Sequence, residues 1–290
     1  MVIRLKKSVL FSLCALLLMI TGGIGLRVLS APSREKADKG VFLPVLMYHH
    51  FLPESGHLGK YVITPQAFEN DLLHLLSLGY HTIGAQELLD FVDNGAPLPE
   101  KPVLITVDDG YYSFYKYIFP ILKKHSCKAV LSIIGYYSEL YSQNGESNPV
   151  YSHVTFEEIK EMAESGLVEI GNHSYHMHAL QGRYGIRKKS GENAVQYLQA
   201  VTEDTRKCQA LLSENCGITP ILYTYPFGFH SKESDALICK LGFRASLICE
   251  ERVNYITREH DCLMNLCRYN RPHGIEFSSF WKKIEQKMSE

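Results

Sequence analysis

Hydrophobic positions along this chain fall into short runs, separated by stretches with helical spacing. VFLPVLMY (41–48) reads as a buried strand, and Pro65 to Leu78 repeats its apolar residues at helical intervals behind Thr64, a ready N-cap. The strand HTI (81–83), a helix over Ala85–Val92 and the apolar strand PVLITV (102–107) come next. A helix near Tyr115–Lys124 leads to the strand AVLSII (129–134), and Thr155 with Glu158 makes a capping box before the next helix. LVEIG (167–171) is a further strand, and a long polar helix runs from about Glu192 to Leu212. The strand PILYTY, the helix SKESDALICKL, the strands FRASLI and CLMNLC, and an amphipathic helix over Phe277–Lys287 complete the series. Strands alternating with helices predict an α/β fold with a mostly parallel sheet, either a (β/α) barrel or an open doubly wound sheet. No G-x-G-x-x-G or P-loop pattern occurs, which speaks against the nucleotide-binding open sheet and for the barrel.

The N-terminus breaks this alternation. Ser8 to Leu26 carries no charged residue, and Arg4, Lys6 and Lys7 precede it. A helix of roughly 17–25 apolar residues spans a bilayer, and flanking positive charge stays on the cytoplasmic side. Residues 1–26 are therefore expected to be a signal-anchor or a signal peptide, the anchor being preferred, and either one exports the rest of the chain. Residues 27–40 (RVLSAPSREKADKG) read as a polar tether, leaving 41–290 as the folded domain. The expected location is therefore outside the cytoplasm, held at the cell membrane through residues 8–26 or secreted if that segment is cleaved.

Composition adds limits. The 290 residues include 30 Lys plus Arg and 31 Asp plus Glu, for a formal net charge of −1, so no overall basic surface suits nucleic acid. No protein partner is inferable. Of eight cysteines, Cys14 lies in the apolar run and the other seven form no C-x-x-C pair, so they are read mainly as small core residues.

Candidate chemistry gathers where predicted strands end. Asp108 and Asp109 close PVLITV, and Gly110 lets the chain turn there. Adjacent carboxylates disfavour each other's ionisation, and a divalent cation relieves this: one ligates while its neighbour serves as base. After LVEIG comes Asn172-His173-Ser174-Tyr175-His176-Met177-His178, with three imidazoles in six residues suited to a first-row metal. Either His173 with His178 or His173 with His176 could reach one ion. Tyr225-Pro226-Phe227-Gly228 ends PILYTY and shapes a loop able to aim a backbone N–H at an oxyanion. Tyr111, Tyr112, Phe114, Tyr115, Tyr136, Tyr137 and Tyr141 cluster near the first motif, and aromatic faces can stack on sugar rings.

TVDDG, HSYHMH and TYPFG, in that order, resemble the polysaccharide deacetylase family (carbohydrate esterase family 4, the NodB homology domain) over about residues 101–270. Val45-Leu46-Met47-Tyr48-His49-His50 looks like the first strand of the poly-N-acetylglucosamine deacetylase branch. The resemblance implies a distorted (β/α) barrel with a metal site at the C-terminal ends of its strands, and a metal-dependent hydrolase that removes acetyl groups from N-acetylated polysaccharide. It implies Asp109, His173 and His178 as ligands of one divalent ion, zinc with cobalt or nickel as alternatives, and Asp108 as general base. Tyr225 would offer its N–H to the oxyanion, and His49, Pro226 and Tyr111 would line the substrate site. The Arg that many members place before the Tyr-Pro is absent, and so is an obvious Leu-x-His segment for the general acid. His273 is the candidate acid and His230 the second choice. A glycan-binding relative without turnover and an esterase of O-acetylated polysaccharide are the competing functions.

Overall fold

The computed structural model describes residues 40–53 and 57–289. The apolar run 8–26 and nearly all of the 27–40 tether lie outside these residues. No helix among the described residues is long and apolar enough to cross a membrane.

The described residues form twelve strands: β1 Val41–Leu43, β2 Val45–Tyr48, β3 His50–Phe51, β4 Val62–Ile63, β5 His81–Ile83, β6 Pro102–Val107, β7 Ala129–Ile133, β8 Val168–Asn172, β9 Leu222–Thr224, β10 Ala245–Leu247, β11 Asn254–Ile256 and β12 Tyr269–Asn270. The main sheet runs β10-β9-β8-β7-β6-β2-β12, with every neighbouring pair parallel and β5 set beside the start of β6. Its two edges meet. Leu247 bridges Leu266 in parallel register, Leu266 N–H donates to Ser246 O (2.8 Å), and Arg268 N–H donates to Glu250 O (2.8 Å). The stretch that leads into β12 thus closes the sheet, and the expected distorted barrel is what forms.

Strand composition explains the closure. β6 and β7 are buried at every position, as parallel strands covered on both faces must be. Along β6, Val103, Ile105 and Val107 pack under the surrounding helices, whereas Leu104 joins Val45, Val130, Leu222 and Ala245 in a second cluster drawn from the strands. The helix Pro65–Ser77 starts where expected, Thr64 Oγ1 accepting from Ala67 N–H at 3.1 Å. The capping boxes at Thr155 and Asn193 likewise open helices Phe156–Glu164 and Ala194–Cys216.

Three sequence expectations need correction. VFLPVLMY is two strands, because Pro44 interrupts it; β1 leaves the barrel and pairs antiparallel with β11, a pairing that local pattern does not signal. CLMNLC is no strand: His260–Leu263 is a 3₁₀ turn and Asn265 adopts φ 58°, so the strand begins only at Tyr269. The helix Gly135–Asn144 escapes the periodicity argument as well, since GYYSELYSQN carries no apolar stripe.

Candidate metal centre and active site

Chemistry-bearing residues stand at the C-terminal ends of β2, β6, β8, β9 and β10, the face on which barrel enzymes build their sites. After Val107 the chain makes two left-handed residues in succession, Asp109 (φ 71°) and Gly110 (φ 74°). A Cβ on Gly110 would sit 3.0 Å from Ile133 Cγ2, so the turn leaves little room for a side chain. A non-glycine residue at this φ is strained, and such strain persists only where the surroundings hold it.

The two carboxylates have opposite surroundings. Asp108, buried, is gripped bidentately by Arg268: Nη1 donates to Oδ1 at 2.7 Å and Nη2 to Oδ2 at 2.8 Å. Burial works to raise its carboxyl, but Arg268, His173 and His49 prevail and hold it below its ordinary value. Asp109 Oδ1 is buried and accepts no hydrogen bond, yet lies 3.6 Å from His173 Nε2 and 3.5 Å from His178 Nε2. One donor atom from each of these three residues falls within 4.8 Å of the others.

His173 is oriented from behind. Its Nδ1 lies 2.7 Å from Thr224 O, an atom that can only accept, so Nδ1 carries the hydrogen and Nε2 presents its lone pair to the cluster. His178 is brought round by the loop. Asn172 Oδ1 accepts from Ser174 N–H, Ser174 Oγ from Met177 N–H, and the Asp204 carboxylate from the N–H groups of Tyr175 and His176. The same curl turns His176 outward against Tyr136, ring centroids 4.3 Å apart, so His173 pairs with His178. Burial, with His173 beside it, lowers His178 to about 4, which keeps that imidazole neutral and able to ligate. Burial also opposes charge on His173, but the two carboxylates outweigh it and raise that group. Two imidazole nitrogens around an orphaned carboxylate oxygen fit a divalent first-row cation.

A cavity of about 570 Å³ opens over the triad. His49 and Tyr111 line it, as the sequence suggested. His49 Nε2 stands 4.0 Å from Asp108 Oδ2, its Nδ1 is buried without a partner, and burial lowers its basicity despite both aspartates. His273 is elsewhere: its N–H donates to Gly59 O and its side chain lines a separate depression beside Asp71 and Arg271. His230 pairs with Asp235 and does not line the cavity.

The Tyr225 expectation also needs correction. Its N–H is consumed by the sheet ladder, donating to Leu247 O at 3.0 Å, and its hydroxyl donates to Asp235. Pro226 is buried and does not line the cavity, and Phe227 (φ 58°) is the residue of this turn that does. Gly228 N–H donates to Tyr225 O and Phe229 N–H to Pro226 O; the N–H of Phe227 takes no part in these bonds.

Sequence reasoning missed Arg268 because it sought an Arg before Tyr225. The guanidinium comes instead from the segment that closes the barrel, where a cation amid LCRYN was the available signal, since a buried charge needs a partner. Of the aromatic residues singled out, only Tyr111 lines the cavity; Tyr61, Tyr184, Phe227 and Phe229 supply the other rings. The seven described cysteines are all unpaired.

Residues 95–246, just over half of the chain, match the family model described as polysaccharide deacetylase. The chain belongs to the polysaccharide deacetylase family. Within it, the chain is 24% identical over 266 residues to the poly-beta-1,6-N-acetyl-D-glucosamine N-deacetylase of Escherichia coli K12, covering 83% of this chain and only 39% of that protein. It is 26% identical to the Staphylococcus aureus MRSA252 enzyme of the same description, over 75% of this chain and 71% of that one. Among solved structures, IcaB from Ammonifex degensii superposes with a TM-score of 0.68 at 28% identity, over 84% of this chain and 97% of the other. The Streptococcus pyogenes deacetylase PplD in complex with acetate shares the fold, with a TM-score of 0.69 at 20% identity over 85% and 99%.

Proposed function

We propose that this chain is a metal-dependent N-deacetylase of N-acetylglucosamine-containing cell-surface or cell-wall polysaccharide, acting outside the cytoplasm. The observation that carries the reading is the unpartnered Asp109 Oδ1 between two imidazole nitrogens, directly beside a carboxylate clamped by Arg268. The names of the relatives support the choice of glycan, and the basic-then-apolar N-terminus supports export.

Asp109, His173 and His178 would hold the ion, zinc by ligand type with cobalt or nickel as alternatives. Such an ion acts as a Lewis acid on the acetamide carbonyl and lowers the pKa of water. The chain's own residues do the rest. Asp108, kept ionised by Arg268, takes a proton from the attacking water. The Phe227 N–H is the backbone donor available to the oxyanion, a contact worth on the order of 3–4 kcal/mol when well placed. His49 is the proton carrier to the departing nitrogen. Of the other cavity imidazoles, His173 and His178 belong to the triad, and His50 is engaged by Ser113 Oγ and Val150 O. The products are acetate and a glucosamine unit. Arg268 supplies the guanidinium whose absence before Tyr225 was one of two motives for a non-catalytic glycan-binding relative, the other being the unassigned general acid.

The test is acetate release from N-acetylglucosamine oligomers by the full chain with zinc, cobalt or chelator, beside His178→Ala. Metal-dependent release, lost in the variant, is expected. Release from O-acetylated xylan alone would replace this reading by the esterase, and glycan binding without release under any metal would restore the binding relative.

A further inference from the structure

The two imidazoles of the triad are held by unequal means. His173 follows β8 directly and is fixed by the sheet: its N–H donates to Ile133 O on β7 (3.0 Å) and its Nδ1 to Thr224 O on β9 (2.7 Å). His178, five residues on, has no such support. Its ring packs on His173 at 4.7 Å and on Phe227 at 4.2 Å, and among the described residues no hydrogen bond from a neighbouring element fixes it. Its place is inherited from the backbone of Ser174 to Met177.

That backbone needs help to keep its course. Ser174 is left-handed (φ 72°), a conformation that costs a non-glycine residue energy. The four successive N–H groups from Ser174 to Met177 each end on a side chain. Asn172 Oδ1 and Ser174 Oγ take the first and the last, at 2.8 and 3.1 Å. The middle two belong to Asp204: Oδ1 accepts from Tyr175 N–H and Oδ2 from His176 N–H, both at 2.8 Å. Successive N–H groups that converge in this way make a small concavity for an anion, and here a carboxylate of the chain itself fills it.

Of these acceptors, Asp204 is the one that comes from another element, the middle of the helix Ala194–Cys216. That helix is seated closely against the loop. Thr205 O accepts from Asn172 Nδ2 at 3.1 Å, and a Cβ on Gly135 would lie 3.1 Å from Cys208 Sγ and 3.3 Å from Tyr175 Cδ2. The loop carbonyls are engaged as well, Ser174 O accepting from Gly135 N–H and Tyr175 O from Tyr136 N–H. With carbonyls held by the start of one helix and N–H groups by the middle of another, the peptide planes before His178 have one orientation.

We infer that Asp204 is a positioning residue of the metal centre, setting its affinity for a divalent cation through the place it gives His178 and not through His173. Both carboxylate oxygens are taken by backbone, so Asp204 acts through another residue rather than as a ligand. This rests on the proposed metal centre and extends it to a helix outside the barrel.

Zinc affinity of the full chain, measured by competition with a chromophoric chelator, tests this without turnover. Asp204→Ala is expected to weaken binding about 10- to 100-fold, the range for loss of a group that orients a ligand. Asp204→Asn keeps one acceptor oxygen but turns an amide N–H toward the other donor, and should fall in between. Glu139→Gln, which alters only the partner of the Tyr175 hydroxyl (2.7 Å), should bind zinc as the unsubstituted chain does. A double-mutant cycle decides the route: on a His178→Ala background, Asp204→Ala should cost less than about threefold further. Should Asp204→Ala fail to fold in thermal melts, Asp204→Asn carries the same cycle. Unchanged affinity in the Asp204 variants, or an equal further loss on the His178→Ala background, overturns the positioning role and leaves the metal centre in place. If the unsubstituted chain binds no zinc, Asp204 has no centre to position, and both readings fall.

Discussion

Arg268 and Arg271 leave the same short stretch of chain around β12, and each clamps a buried aspartate with two hydrogen bonds. Arg268 holds Asp108 at 2.7 and 2.8 Å; Arg271 holds Asp71 at 2.8 and 3.0 Å, with the Tyr48 hydroxyl adding a third bond. The clamps match, yet the carboxyls diverge. Burial pushes Asp71 up to about 6 against the pull of Arg271. Asp108 is held below its ordinary value, because His173 and His49 add their influence to that of Arg268. One pair ties the helix Pro65–Ser77 to the end of β12; the other sets a carboxylate, the proposed base, beside two imidazoles in the cavity lining. A guanidinium grip therefore does not by itself mark a catalytic carboxylate. What surrounds the grip does.

Substitution at each end tests that contrast. Asp108→Asn is expected to lower kcat for acetate release by about 10²–10⁴-fold with little change in KM, since it removes the proton acceptor and leaves the substrate contacts in place. Arg271→Met leaves the Asp71 carboxylate buried without its cation, only the Tyr48 hydroxyl remaining, so denaturant unfolding should show a loss of about 3–5 kcal/mol while the folded fraction keeps its kcat/KM. Pairing it with Asp71→Leu should recover most of that loss, because an apolar pair of similar volume replaces a buried ion pair at small cost. If Arg271→Met depresses kcat as strongly as Asp108→Asn, the distinction between the two clamps collapses.

A smaller effect is expected from Arg268→Lys. An ammonium keeps the charge but loses the bidentate fork, so kcat should fall about 10- to 100-fold. The acid limb of the pH–rate profile should move to higher pH, because a loosened clamp lets the Asp108 carboxyl climb back toward its ordinary value. The smallest effect concerns His50, in the cavity wall, and His153, stacked on Tyr111. Burial lowers His50 and His153 to about 4, so the folded state binds protons less readily than the unfolded chain below the usual histidine value of about 6.5. The stability they contribute is complete above that value and is lost as pH falls from there toward 4. Chemical denaturation at pH 7 and pH 5 should differ by about 1–2 kcal/mol for each of these two imidazoles, and His153→Phe should remove its share.

How much of this was legible in the chain depends on distance along it. The triad was readable because each motif is local: a carboxylate pair ends one apolar strand and an imidazole run ends another. The barrel was readable because PVLITV, AVLSII and their fellows are apolar throughout. Residues that act across the ring were not. Arg268 reaches Asp108 over 160 positions. Tyr61 and Tyr184 became cavity walls only when β2 and β9 took their places in the barrel. Tyr225 was assigned a free N–H because its bond to Leu247 O depends on β10 lying alongside, which no local pattern announces. His273 looked suitable as a histidine after the last strand, yet its backbone bond to Gly59 carries it past the site, while His49 arrives at the cavity from the first strand of the barrel.

The stretch from Leu266 to Asn270 both closes the barrel and delivers the guanidinium that holds Asp108. During synthesis it emerges after every ligand of the triad. A nascent chain stopped short of it would already carry Asp109, His173 and His178, yet Asp108 would lack its guanidinium partner and the wall between β10 and β2 would be open. On the proposed chemistry, capture of metal would thus be separable from the onset of hydrolysis, the second waiting on closure of the ring.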